Sequence, residues 1–158
     1  MTVMANSGKE LEEFVKAIES VFLPAGFKIT SRERIYDDQN DQIAELDVFI
    51  TGTLGTTKIN WLIECRDRPS MGPAPRSWIE QLYGRLIGLK LSKVTAVSTT
   101  SFSPGAVKFA KDHGIELRTV QEITQDQIKT WFIAATLTVN NVIGQMKQVR
   151  AFFIVHRH

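Results

Sequence analysis

An α/β fold with a mixed central sheet flanked by helices is predicted by three features of this sequence. Helix-periodic stretches and short β-rich runs follow one another in the order αβββαβαβ over the first 120 residues. Three consecutive strand patterns are separated only by short polar turns, which is the signature of an antiparallel meander. The later strand patterns are separated by helical ones, which implies crossovers and helices on both faces of the sheet.

The first helix is read from "SGKELEEFVKAIESVF". Ser7 is placed to cap it and Glu10 stands three residues on, a capping box. Leu11, Phe14, Val15, Ile18 and Phe22 recur at helical spacing and define its apolar face. Pro24 and Gly26 end it. The strands follow as Phe27 to Asp37, Ala44 to Gly52 and Lys58 to Cys65, joined by "DQNDQ" and "TLGTT". Strict alternation along the second strand turns Leu46, Val48 and Ile50 toward the core and puts Glu45, Asp47 and Phe49 on the other face. On the third strand Leu62, Glu64 and Arg66 share one face, and Ile63 and Cys65 share the other.

After the loop "RDRPSMGPAPR", Ser77 is expected to start a second helix, "SWIEQLYGRLIGLKL", with Glu80 completing a capping box. Lys93 to Thr100 reads as a short, fully buried strand. "SPGAVKFAKDHG" is a third helix, with Ser103 as cap, Pro104 in the first turn and Gly114 at its end. "IELRTV" is a fifth strand. Beyond Val120, "TQDQIKTWFIAA" suggests a helix, and "TLTVNNVIG" and "RAFFIVHRH" suggest strands. The chain is therefore divided into residues 1–120 and an extension, 121–158, of added strands or the start of a second domain.

Composition narrows the function. The 158 residues are 43% hydrophobic, enough for one core. A net charge of +2 gives no global basic field, so any nucleic-acid contact needs a local patch. Cys65 is the single cysteine, which excludes a disulfide framework and a cysteine zinc site. His113, His156 and His158 lack metal-binding spacing. "MTVMANSGKE" has no signal-peptide pattern, and no apolar run reaches the roughly 18 residues of a membrane span. A soluble, cytoplasmic protein with no membrane partner is expected.

The chemistry is concentrated in "AELDVFI" and "INWLIECRDR". If the second and third strands pair, Asp47 and Glu64 lie side by side. Two carboxylates held together repel each other, and a hard divalent cation removes that penalty. Such a site activates water and stabilises the charge of an in-line attack on phosphate. Arg66 supplies a neighbouring cation.

These two segments resemble the PD-(D/E)XK nuclease superfamily, and within it the Mrr-like restriction endonuclease branch. The likeness runs roughly from Gly8 to Val120. "SWIEQLYGRLIGL" is similar to the family's helix after the active-site strand. "KVTAVSTTSFSPGAVKFAKDHGIEL" is similar to its strand, loop and helix, of the form VSTSGFTxxAxxxAxxxGI. The resemblance implies a restriction-endonuclease-like αβββαβ core. It implies catalytic roles for Asp47, Glu64 and Arg66, with Mg²⁺ or Mn²⁺ held by Asp47, Glu64 and the backbone carbonyl of Cys65. It further implies supporting roles for the first-helix acid, Glu12 or alternatively Glu13, and for Gln81 and Arg85.

Two departures stand out. Arg66 occupies the lysine position, and an arginine stays protonated at working pH, so it orients or stabilises rather than acting as a base. Ser101 replaces a loop glycine. Other motifs have plainer readings. "GTLGTTK" lacks phosphate-loop spacing and reads as a hairpin turn. Trp61 and Trp78 read as packing residues, and Cys65 as a small buried hydrophobe.

Two functions follow. The first is a metal-dependent DNA endonuclease of restriction or defence type. The alternative is a nuclease-fold module that binds DNA or serves as an effector and cuts weakly, because of Arg66. DNA is the expected partner, with Arg68 and Arg76 at the phosphates; Lys90 extends the basic face. A homodimer is expected for duplex cleavage, and the apolar "AFFIV" near the C-terminus suggests an added domain or partner.

Overall fold

The computed structural model describes residues 8–123 and 151–155. The elements are α1 (Lys9–Phe22), β1 (Lys28–Tyr36), β2 (Gln42–Leu54), β3 (Thr57–Arg66), α2 (Arg76–Gly88), β4 (Lys93–Ser98), α3 (Pro104–His113), β5 (Glu116–Ile123) and β6 (Ala151–Val155). They build one mixed sheet in the spatial order β1-β2-β3-β4-β5-β6. β1, β2 and β3 form the antiparallel meander. β3, β4 and β5 run parallel, with α2 and α3 as the crossovers, and β6 returns antiparallel to β5. The mixed sheet with helices on both faces is the architecture expected from the pattern. The helix expected at residues 124–135 and the strand at 136–144 lie outside the described residues.

Two cores flank the sheet. Ile79 and Leu82 of α2 and Ala106 and Ala110 of α3 pack over Leu46, Leu62, Val94 and Ala96. On the other face Leu11 and Val15 of α1 pack over Val48, Ile50, Ile63, Val97 and Val120. Each of these side chains is at most 1% exposed. Burial of this kind contributes about 1.5–3 kcal/mol per large aliphatic side chain.

The cores show where simple alternation fails. Leu46, Val48 and Ile50 are all buried, but not on one face. Leu46 belongs to the α2/α3 core, and Val48 and Ile50 belong to the α1 core. The neighbouring strand changes sides with it: Ile29, opposite Ile50, packs against the α1 core, and Ile35, opposite Ala44, packs against the α2/α3 core. Between these pairs stands Arg32, whose φ of 55° is left-handed. A left-handed residue within a strand locally breaks the ladder and bends and twists the strand. The register skips the Arg32–Asp47 pair, so the switch in both strands falls at Asp47.

Three local expectations are corrected. Phe22, placed on the apolar face of α1, is 77% exposed, because the helix ends there and Leu23 is already extended. Gly8 is the N-cap of α1, with no side-chain cap bond, and Ser7 lies outside the described residues. α2 starts at Arg76 after Pro75, also without a side-chain cap, and Glu80 pairs with Arg76 at 2.6 Å instead of closing a capping box. Pro75 holds the extended N-cap conformation, so Ser77 is two residues too late to cap the helix. α3 is as expected: Ser103 Oγ accepts from the Ala106 N–H at 3.1 Å, and Gly114 closes the helix at φ 72°. The hairpin reading of "GTLGTTK" also holds, with Gly55 at φ 63° between β2 and β3.

Candidate active site

β2 and β3 pair from Leu54–Thr57 down to Val48–Ile63 and then part. The next residues toward the fork are Asp47 and Glu64. The ladder bond that would continue the pairing is replaced by a side-chain bond, from the Cys65 N–H to Asp47 Oδ2 at 2.8 Å. Asp47 thus sits in the fork because β2 changes faces there. Glu64 sits there because it follows Leu62 on the α2 side of β3.

Both carboxylates are withdrawn from water. Glu64 is 7% exposed. Burial pushes its carboxyl up to about 8; the charge of Asp47 adds to the rise, while Arg85 and the Asp47 N–H oppose it. Burial likewise pushes Asp47 up to about 6, against the Cys65 N–H, with Glu12 adding to the rise. The pair titrates as a unit. Two desolvated, mutually repelling carboxylates create a demand for positive charge.

Part of that demand is met by α2. Arg85 Nη1 donates to Glu64 Oε1 at 2.5 Å and to the backbone carbonyl of Glu45 at 3.4 Å. It therefore spans the fork between β3 and β2. Arg85 also lines an open cleft with Ile43, Ala44, Gln81, Gly84, Gly88 and Leu89. Gln81 lies in that cleft, one helical turn from Arg85.

On the α1 side Glu12 is near enough for its charge to act on Asp47, and it is held by Arg32 Nε at 2.9 Å. Glu13 turns instead to Ser31, whose Oγ donates to its Oε1 at 3.0 Å. Of the two first-helix acids, Glu12 is the one beside the fork.

Arg66 does not face the carboxylates as an ion pair. Its Nη1 donates to Thr100 Oγ1 at 3.1 Å and to the Gly72 carbonyl at 3.5 Å. Burial, then the nearby charge of Arg68, lowers its affinity for its proton. Arg68 is exposed. Arg76 is held by Glu80 and lies 5.1 Å over the Phe109 ring. Lys90 is exposed at the end of α2. Cys65 turns toward the α1 core, and burial raises its thiol well above the ordinary value, which leaves no nucleophile there. Trp61 Nε1 donates to Thr95 Oγ1 at 2.9 Å, and Trp78 stacks on Phe102, so both pack within the fold.

Three residues escaped the sequence reading. Arg32 stands between Ser31 and Glu33 with no glycine, asparagine or proline beside it to betray its left-handed backbone. Asp67, one residue past β3, accepts from Thr99 Oγ1 at 3.1 Å, and its Oδ2 is buried without a partner. Thr100 anchors Arg66; a threonine in a serine- and threonine-rich loop carries no distinguishing signal.

Among the described residues no group of three or more His, Cys, Asp or Glu side chains is arranged to hold a metal ion. The donor set is a pair, Asp47 and Glu64, each with one oxygen already engaged. This suits Mg²⁺ or Mn²⁺, since Mg²⁺ takes one or two carboxylates and fills its remaining positions with water and substrate oxygens.

A family model described as "Restriction endonuclease" matches residues 5–125. No curated protein sequence matches the chain. Among solved structures, a protein of unknown function, AF1548, is similar at a TM-score of 0.57 and 19% identity, over 70% of this chain and 57% of that one. The MspJI restriction endonuclease, solved with a 27-mer oligonucleotide, is similar at a TM-score of 0.50 and 16% identity, over 71% of this chain and 26% of that one. The DNA modification-dependent restriction endonuclease AspBHI gives a TM-score of 0.49 and 15% identity, over 81% of this chain and 31% of that one. The chain thus spans between about a quarter and three fifths of the lengths of these proteins. At such identities the likeness concerns the fold.

Proposed function

Because the chain belongs to the restriction endonuclease family, we propose that it is a divalent-metal-dependent endonuclease that hydrolyses phosphodiester bonds in DNA. The observation that carries this reading is the pair of buried carboxylates, Asp47 and Glu64, brought together where β2 and β3 part. Asp47, Glu64 and the backbone carbonyl of Cys65 would hold Mg²⁺ or Mn²⁺. When bound, the ion supplies activation of water and neutralisation of charge on the phosphate.

The protein's own residues then have separate tasks. The Cys65 N–H fixes Asp47 through Oδ2 and leaves Oδ1 for the ion. Glu12, held by Arg32, contributes negative charge beside Asp47 and is placed to accept a proton through water. Arg66, always protonated, orients the phosphate from the loop side. Gln81 supports the site from the α2 cleft, and Arg68 and Arg76 meet flanking phosphates. One site serves one strand, so duplex cleavage would require a homodimer. The role is assigned to cytoplasmic defence, with a further domain or partner met on the side of the C-terminal extension, whose β6 adds a sixth strand beside β5.

The test is plasmid nicking with Mg²⁺ or Mn²⁺. Wild type should nick and Asp47→Ala should not. Equal nicking by the two proteins, or none by wild type on any DNA or RNA, refutes the catalytic reading.

A second reading has its own observation. The Arg66 guanidinium is directed to Thr100 and Gly72, away from an ion pair with the carboxylates. This favours a domain that binds DNA and cuts weakly. It predicts salt-sensitive DNA binding without bound Mn²⁺, and a gain of cleavage in Arg66→Lys.

A further inference from the structure

We infer that Arg85 is a resident counter-cation, a positioning residue that holds Glu64 in place and that the metal ion must displace or share. The inference rests on the metal site proposed above and adds a determinant of its affinity.

Three observations carry it. First, Arg85 reaches both arms of the fork, Glu64 Oε1 on β3 and the Glu45 carbonyl on β2, where no ladder bond remains to hold the arms together. Second, it is the cation paired with Glu64, while Arg66, the basic residue of the strand motif, is committed to Thr100 and Gly72. Third, it has somewhere to go. Its side chain is 35% exposed against 10% for Glu64, and it borders a cleft floored by Gly84 and Gly88, at whose positions a Cβ would meet no atom within 4 Å.

The consequence is competition between two cations for one carboxylate. A guanidinium beside Glu64 neutralises the charge that attracts a divalent ion and repels that ion directly. Removing it frees Glu64 Oε1 and strengthens the field of the carboxylate pair. The same removal takes one of the braces from the metal-free fork and leaves the Cys65 N–H bond to Asp47 Oδ2 as the remaining tie. Metal affinity and metal-free stability should therefore move in opposite directions, which a merely structural arginine would not produce.

The experiment is calorimetric titration of the full chain with Mn²⁺ alone, with thermal melting in chelator alongside, for wild type, Arg85→Gln, Arg85→Lys and Asp47→Asn. Arg85→Gln should bind Mn²⁺ about tenfold more tightly than wild type and melt lower in chelator. Arg85→Lys keeps the charge on a shorter side chain that reaches Glu64 and the Glu45 carbonyl less well, so it should fall between them. It also serves if Arg85→Gln does not fold. If wild type binds in an Asp47-dependent way and Arg85→Gln binds equally or more weakly, this inference is overturned and the metal site stands. Binding by Arg85→Gln but not by wild type would support it strongly, as an arginine that outcompetes the ion. If neither binds, both the inference and the metal site fail.

Discussion

The backbone N–H of Cys65 donates to Oδ2 of Asp47 at 2.8 Å, at the point where β2 and β3 cease to pair. A side chain has taken the place of a ladder acceptor. Asp47 is therefore fixed by the main chain of the neighbouring strand and needs no ion to orient it. An asparagine keeps that acceptor and loses the charge. Asp47→Asn is expected to melt higher than wild type at pH 8 in chelator, because one of two repelling buried charges is gone. It should also lose the Mn²⁺-induced rise in melting temperature. A lower melting point in chelator would show that the carboxylate pair does not strain the fold.

The same pair sets a pH dependence. Burial raises Asp47 to about 6 and Glu64 to about 8, whereas both titrate near 4 in an unfolded chain. The folded protein then holds more protons than the unfolded one between about pH 4 and pH 8, so stability falls as pH rises through that window. The loss is on the order of several kcal/mol. Glu116, whose carboxyl is lowered by Lys93 and Arg118, works in the opposite sense, so the reference must be the double variant Asp47→Asn, Glu64→Gln. Melting curves in chelator should decline from pH 5 to 8.5 for wild type relative to that variant. Parallel curves would contradict the burial of the two charges.

Arg32 offers a test of the face switch. Its left-handed φ of 55° costs a non-glycine residue about 1 kcal/mol and a β-branched residue more. Its ion pair with Glu12 is partly exposed and contributes little. Arg32→Gly should therefore melt within a degree or two of wild type, while Arg32→Val loses about 2 kcal/mol in denaturant unfolding. Equal losses for the two variants would mean that the kink is not held by its backbone.

Gly52 is a site of close approach. A Cβ built there would lie 2.5 Å from Phe27 Cδ1 and 2.6 Å from Cγ, and Phe27 packs against the α1 core. Relief requires the ring to leave its seat. Gly52→Ala is expected to cost about 1–3 kcal/mol, read as a lower denaturation midpoint with an unchanged slope. A neutral result would show that the ring repacks freely.

The fold was legible because hydrophobic period and turn chemistry agreed along most of the chain. Ser103, Pro104 and Gly114 bracket α3 as helix chemistry requires, and the valine-rich run at 93–98 marks a strand buried on both faces. The carboxylate pair was legible as a spacing, since sixteen residues between Asp47 and Glu64 leave room for one hairpin. What alternation could not deliver was the change of face at Asp47. That change depends on one left-handed arginine in a neighbouring strand, and arginine gives no propensity signal for it. The direction of Arg66 was hidden for a similar reason, because its side-chain partner Thr100 stands in a loop 34 residues on, and its other partner is a backbone carbonyl, that of Gly72, which carries no side-chain signal. Arg85 could be named as a helix residue near the site, but its bridge from Glu64 to Glu45 exists only once α2 has docked.

The half-turn at Arg32 and Asp47 also bears on which length changes this domain tolerates. One alternating set in each strand changes core at the switch: Ala44 and Leu46 of β2 and Ile35 of β1 pack on the α2/α3 core, and Val48, Ile50 and Ile29 pack on the α1 core. Adding or deleting one residue at the Gly55 hairpin tip leaves both sets in step. The same change between Ala44 and Ile50 would turn Leu46 and Ala44 toward α1, present polar neighbours to α2, and carry Asp47 out of the fork. Chain length in this short segment is thus under a stricter constraint than residue identity, and gaps in related sequences should gather at the hairpin and avoid the six bonds from Ala44 to Ile50.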